Sequence, residues 1–345
     1  MKILSVGWFQ KVSNTSLHRH WALEQNANEI TKIDLGKSKT SFKYKLAYHL
    51  FQKGLPIPLP DESDANQQII KSVTKLKYDI LWIDKGVTIN KKTLLFVKQN
   101  SPKTIIVSYS PDNMALRHNQ SQNYLNSLSL YDYIFTNKSY ILEDMKNLGA
   151  KNIKFIHNMY EASFHYPREL SNTDIEQLGG DVGFIGAWEK ERFESILYLA
   201  KNGINVKVLG DGKWNDFKTI SPNLTIQPGV FSEEYSKALS AFKISLCFLR
   251  KMNFDQQTTR TMEIPACGGF MMAERTQEHQ ELFEEGKEAA YFSSNEELLK
   301  LCKYYLANKN ERTSIAKAGL ERCISSGYSN ERTIKKMLDI VSINE

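Results

Sequence analysis

No cysteine occurs in the first 246 residues of this 345-residue chain, and the four that follow, at 247, 267, 302 and 323, show no C-x-x-C spacing. Reduced structural thiols in a cytosolic protein are therefore the expectation. No window approaches 18 uninterrupted apolar residues, so no membrane-spanning helix is expected. The opening run MKILSVGWFQKVSN has too short an apolar stretch for a secretory signal and reads as a first strand. Internal repeats and low-complexity tails are also missing.

The familiar nucleotide and metal motifs are missing too. A dinucleotide fingerprint needs G-x-G-x-x-G after an opening strand. Here the first strand ends with Gly7 alone, and Gly210-Asp211-Gly212 is followed by Asn215 where a third glycine would stand. No G-x-x-x-x-G-K-[ST] run is present, which argues against a P-loop nucleotidase. H-E-x-x-H, paired aspartates two apart and cysteine–histidine ligand spacings are likewise missing, so local motifs give a metal-dependent mechanism no support.

What is there is an ordinary globular composition, 41% hydrophobic and 24% charged, in a chain long enough for two domains. The net charge of +6 is uneven. Residues 1–170 carry 23 Lys/Arg against 14 Asp/Glu, which is +9, and the remainder carries 22 against 25, which is −3. A basic half suggests an anionic partner. Lys37, Lys39, Lys43, Tyr44 and Lys45 concentrate that charge among aromatics; a plain solvated lysine surface is the competing explanation.

Apolar strand-like runs alternate with helix-like stretches throughout: KILSVGWF, YDILWI, TIIVSYS, YDYIFTN and NIKFIHN in the first half, then DVGFIGAW, NVKVLGDGKW, LTIQPGV, ISLCFLR, FMMAE and AAYFSS. This β-α alternation predicts parallel sheets covered on both faces. The polar segment 166–180 reads as a linker. It divides an expected first domain over 1–168 from a second over 176–327, with a terminal helix at 328–345 expected to return to the first. Two such open α/β domains are expected to face each other across a cleft, with ligands at the carboxyl ends of strands.

The stretch TTRTMEIPACGGFMMAE at 258–274 is the most informative. Glu263 stands among Met262, Ile264, Ala266 and Cys267, where an acid has no place unless something polar meets it. Thr258 and Thr259 stand at a helix start, whose amides and dipole attract phosphate. Arg260 adds a planar fork for phosphate oxygens. Glu263, one turn on, can accept two hydrogen bonds, as the paired hydroxyls of a ribose require. Together these residue types describe a nucleoside diphosphate site.

The run TTRTMEIPACGGFMMAERTQEHQELFEEGKEAAYFSSNEELL resembles the donor-binding region of glycosyltransferases of the CgeB-like type, relatives of the group-1 glycosyltransferases. The resemblance extends to DVGFIGAWEKER, VKVLGDGKW, YDYIFTNK and LGAKNIKFIHN, hence most of the chain. It implies the α/β GT-B fold, two Rossmann-like doubly wound domains, with a nucleotide-sugar held mainly by the second. By that resemblance Glu263 matches the ribose-binding glutamate. Asp255 stands eight positions earlier, where group-1 enzymes carry the first acid of an E-x7-E pair; aspartate departs from their pattern.

Further donor-side candidates are Gly186, which permits close backbone approach, Arg192 and Lys251 as cations for a diphosphate, Gly212 in a turn, and Phe231 in a loop resembling the one that meets the base. In the first domain Asp112 and His18 are the catalytic candidates, because carboxylates or imidazoles at strand ends can deprotonate an acceptor hydroxyl; Asp255 from the second domain joins them by the resemblance. Lys39, Lys43 and Lys85 are candidates for acceptor contact. The expectation is a cytoplasmic, metal-independent glycosyltransferase needing no cofactor beyond its nucleotide-sugar co-substrate, a UDP-sugar. Its acceptor is expected to be an anionic polymer or lipid-linked envelope glycan, with peripheral contact at the inner membrane face. Transfer to hydroxylated bases in DNA, epimerisation or hydrolysis of a nucleotide-sugar, and non-catalytic binding of a nucleotide-sugar or nucleic acid remain open alternatives.

Overall fold

The computed structural model describes residues 1–36 and 40–342. The chain divides into two units, residues 1–157 with 330–345, and residues 158–329. Each is built on a six-stranded sheet in which every pairing is parallel.

In the first unit the strands are β1 (Lys2–Gly7), β2 (Glu29–Asp34), β3 (Ile80–Asp84), β4 (Ile105–Ser110), β5 (Tyr133–Thr136) and β6 (Ile153–Phe155), in the order β2-β1-β3-β4-β5-β6. The central strands are apolar without alternation because helices cover both faces; all five residues of β3, ILWID, are buried. Val6, Leu81, Ile83 and Ile106 pack with Leu94 and Val97 of the helix Lys91–Asn100. That helix starts where the Asn90 side chain accepts the Thr93 amide, a cap that satisfies one orphan donor.

In the second unit the strands are β7 (Gly180–Ile185), β8 (Val206–Leu209), β9 (Leu224–Gln227), β10 (Phe242–Cys247), β11 (Met271–Glu274) and β12 (Ala290–Phe292), in the order β12-β11-β10-β7-β8-β9. Phe184, Val208, Leu246, Phe248 and Met272 fill one face of this sheet, and Ile185, Cys247, Met271 and Tyr291 the other.

Two expectations about organisation change. The segment 166–180 is not an open linker: it holds the helix Asn172–Leu178, started by a capping box in which Ser171 and Asp174 satisfy each other's backbone amides. Its polarity misled because this helix buries none of its residues. The second unit begins earlier, at residue 158. The last helix, Asn330–Ser342, packs Ile334, Met337, Leu338 and Val341 inward and lies against the helix Thr15–Asn26 of the first unit. There Asn26 Nδ2 donates to the Glu331 carbonyl at 3.2 Å.

Candidate functional site

In the second sheet the chain runs outward from β7 through β8 and β9 before returning to β10 on the other side of β7. Such a reversal opens a crevice at the carboxyl ends of the two central strands, where open α/β sheets bind ligands. Gly186 follows β7 at that end. Its amide donates to the Leu209 carbonyl at 3.1 Å and its carbonyl accepts from Trp214 Nε1 at 2.8 Å. Trp214 is fully buried, so it packs and clamps rather than lining an open surface. A Cβ on Gly186 would stand 2.5 Å from Arg260 Nη2; glycine is what lets the guanidinium lie against this turn. Arg260 is held there by Nε donating to the Ile185 carbonyl at 2.7 Å.

Arg192, at the start of the helix Lys190–Lys201, is buried. Its Nη1 donates to the Ala187 carbonyl at 3.3 Å and pairs with Glu189 at 3.3 Å, while its buried Nε has no hydrogen-bond partner. The same Glu189 oxygen takes Arg250 Nε at 3.2 Å. Burial, then the positive charges of Arg260 and Arg250 opposed by Glu189, pulls the Arg192 guanidinium below its ordinary value. Arg192 and Arg250 share the Glu189 carboxylate and Arg260 adds its charge beside them, which makes a cationic end to this crevice.

Glu263 lies on the short helix Arg260–Ala266 and is 8% exposed. The Tyr235 hydroxyl donates to its Oε2 at 2.6 Å, and His165 Nε2 stands 3.9 Å from Oε1. Tyr235 comes from the helix Ser232–Ala241. Burial, followed by the Glu263 charge, holds its hydroxyl well above the ordinary tyrosine value, so it is a donor at all working pH. No sequence spacing pointed to Tyr235 or His165, which stand 28 and 98 residues from Glu263.

The helix start departs from expectation. The helix has seven residues, and Thr259 makes no side-chain cap. The Thr258 amide, expected to be open to phosphate, donates instead to Thr261 Oγ1 at 3.0 Å. That hydroxyl also contacts His279 Nε2 at 2.9 Å, and His279 Nδ1 meets the Glu274 carbonyl at 2.6 Å. A carbonyl only accepts, so Nδ1 carries the proton and Nε2 accepts from Thr261. Burial pushes the His279 imidazole down to about 4, which keeps this tautomer neutral. The relay secures the turn that aims Arg260 and Glu263. Cations at this end therefore come from side chains, not from the Thr258 amide.

Lys251 also departs. Its ammonium pairs with Glu274 at 2.6 Å, a carboxylate that accepts the Leu249 amide through its other oxygen, so its charge is compensated locally. Asp255 is half-buried beyond the left-handed Phe254, its amide donating to the Arg250 carbonyl at 3.3 Å. Gly212 starts a 3-10 turn at φ +67°, and Phe231, 62% exposed, precedes the helix that carries Tyr235. Asp211 Oδ1 accepts the Gly229 amide at 3.2 Å and joins those two turns.

In the first unit the order reverses between β1 and β3. Asp84, the last residue of β3, forms a buried two-point pair with Arg19, Nε to Oδ2 at 2.6 Å and Nη2 to Oδ1 at 2.9 Å. Arg19 lies 4.3 Å from the centre of the Tyr109 ring. Beside this pair the Lys85 ammonium makes an ion pair with Asp112, so two residues assigned to separate roles are brought together. His18 is buried, stacks on Trp21, and has Nε2 on the Val12 carbonyl at 2.6 Å; that nitrogen anchors a loop. Lys43 is exposed on the helix Phe42–Gln52, and Lys39 lies outside the described residues. Trp8, Tyr44, Glu62, Ser63 and Thr88 border a small cleft near the ends of β1 and β3.

Among the described residues no group of three or more His, Cys, Asp or Glu could hold a metal ion, and no helix is long and apolar enough to cross a membrane.

Residues 191–339 match the model of a family described as glycosyl transferase-like. No curated protein matches the sequence. Solved structures match over nearly the whole chain. Alr3699/HepE of Anabaena, in complex with UDP-glucose, is 15% identical with a TM-score of 0.63, covering 98% of this chain and 99% of its own. Sucrose-phosphate synthase of Thermosynechococcus elongatus is 10% identical with a TM-score of 0.67, covering 99% and 98%. An alpha-glucosyltransferase in complex with UDP and a 13-mer DNA is 13% identical with a TM-score of 0.65, covering 99% and 100%. The chain thus has the GT-B fold, and over residues 191–339 it is similar to a glycosyl transferase-like family.

Proposed function

We propose that this chain is a glycosyltransferase of the group-1-related, CgeB-like kind, moving a sugar from a UDP-sugar to a hydroxyl of an envelope glycan. The observation that carries the reading is that Arg260, held on the Ile185 carbonyl, and the buried Glu263 carboxylate stand one turn apart on the same short helix. In this reading the diphosphate meets Arg260 and Arg192 beside Gly186, and the ribose hydroxyls donate to Glu263 while Tyr235 orients it. The family match and the UDP or UDP-glucose in two of the similar structures support a UDP-linked donor.

The chemistry asked of the second unit is charge stabilisation. As the anomeric carbon–oxygen bond breaks, negative charge grows on the departing diphosphate, and guanidiniums already in position stabilise it without reorganising. The arginines supply this charge without a metal ion. In the first unit, Asp112 is the carboxylate proposed to take the acceptor's proton, held by Lys85, and the cleft at Trp8 and Tyr44 is proposed to receive the acceptor. His18 is the weaker candidate because its Nε2 is spent on a carbonyl.

A panel of nucleotide-sugars tests this by thermal unfolding and by release of UDP. A donor at 100 times its dissociation constant stabilises the fold by about 2.7 kcal/mol. If no uridine nucleotide raises the melting temperature and no sugar is transferred or released, the reading fails.

A further inference from the structure

Between Asp34 and Asp61 the sequence has no acidic residue, while it has Lys37, Lys39, Lys43, Lys45 and Lys53. The described part of this stretch contains the helix Phe42–Gln52, started by the Ser41 side chain accepting the Tyr44 amide. Of its eleven residues only Phe51 is buried. A surface helix normally turns its apolar stripe to the core. Here Tyr44 is the residue that borders the cleft, while Phe42 is 81% exposed and Leu46 50% exposed, one turn apart on the outer side. Lys43, Lys45 and Lys53 are exposed around them, and Leu55 follows at 44%. Glu62, the acid at the helix start, accepts the Ser41 amide with both oxygens at 3.1 Å.

We infer that this helix docks on an anionic lipid surface, with Phe42 and Leu46 entering the headgroup boundary and Lys45 and Lys53 meeting lipid phosphates. An apolar pair flanked by lysines is what interfacial helices present, and each basic residue near an anionic leaflet strengthens partitioning about fivefold. Nucleic acid would use the lysines and the aromatic rings but gains nothing from the outward aliphatic Leu46 and Leu55, so lipid fits the surface better. This goes beyond the transferase reading and stands without it, because its readout is membrane binding.

The full chain is sedimented with vesicles of phosphatidylcholine containing phosphatidylglycerol, and with phosphatidylcholine alone. Binding is expected to the anionic vesicles and to weaken with salt. Phe42→Ser with Leu46→Ser should reduce it about tenfold, and Lys45→Glu with Lys53→Glu by about 30-fold or more, with unchanged thermal melts. Phe42→Trp serves as a second probe whose emission shifts to the blue on anionic vesicles. No sedimentation with anionic vesicles, equal binding by all variants, or a tryptophan that stays in water would each overturn the inference. So would retention by single-stranded DNA or RNA in place of vesicles.

Discussion

The Tyr235 hydroxyl donates to Glu263 Oε2 at 2.6 Å across two helices that share no sequence neighbourhood. The bond uses one carboxylate oxygen and orients the other, and it explains how an acid survives in an apolar run. A buried carboxylate keeps its charge only where hydrogen bonds replace water.

For Glu263→Ala, the expected loss is that of hydrogen bonds to a charged group, roughly 1.5–3 kcal/mol. Calorimetry should show UDP binding at least tenfold weaker with the fold retained. Tyr235→Phe should cost less, about fivefold, because the carboxylate stays and loses only its orienting donor. UDP affinity unchanged in both variants would rule out the ribose role.

Gly186→Ala probes the arginine. The added Cβ would meet Arg260 Nη2 at 2.5 Å, and the end of a long side chain moves more easily than a strand. The expected outcome is a small change in melting temperature with donor affinity reduced at least fivefold. A variant that melts at a lower temperature with its donor affinity unchanged would show that the glycine serves packing alone.

His279 predicts a pH dependence. Burial places its folded value at about 4 against 6.5 when unfolded, so between those values the unfolded chain binds more protons. The stability from keeping this ring neutral is complete above pH 6.5 and falls by about 1.4 kcal/mol per unit as pH drops toward 4. Urea unfolding at pH 7.5, 6 and 5 should reveal the slope, and His279→Gln should lose that component. Equal slopes in the two proteins would show that the imidazole is not buried neutral.

Chelator provides the fourth test. If guanidiniums carry the leaving-group charge, transfer continues in excess EDTA. Complete loss restored by a divalent cation would move that role from the arginines to a metal.

The sequence alone made the parallel-sheet architecture legible where burial was complete. In β3 and β4 helices cover both faces, so apolar residues run without alternation and stand out in any window. The edge strand β2, EITKID, has one fully buried residue, and its half-wet pattern left no such signal. Helix Asn172–Leu178 was illegible for the same reason, since it buries nothing. Glu263 was conspicuous because an acid inside an apolar run needs a partner, and that need is local. Its partners were not local. Tyr235 reaches Glu263 through the packing of two helices, and Arg192 and Arg260 come to one crevice because β7 and β10 are neighbours despite the two strands between them in sequence. Residue type and local spacing determined which elements form and which residues are chemically out of place. Only the tertiary structure decided which carboxylate each cation meets, because pairings such as those of Lys251 with Glu274 and of Arg250 with Glu189 depend on distances no spacing encodes.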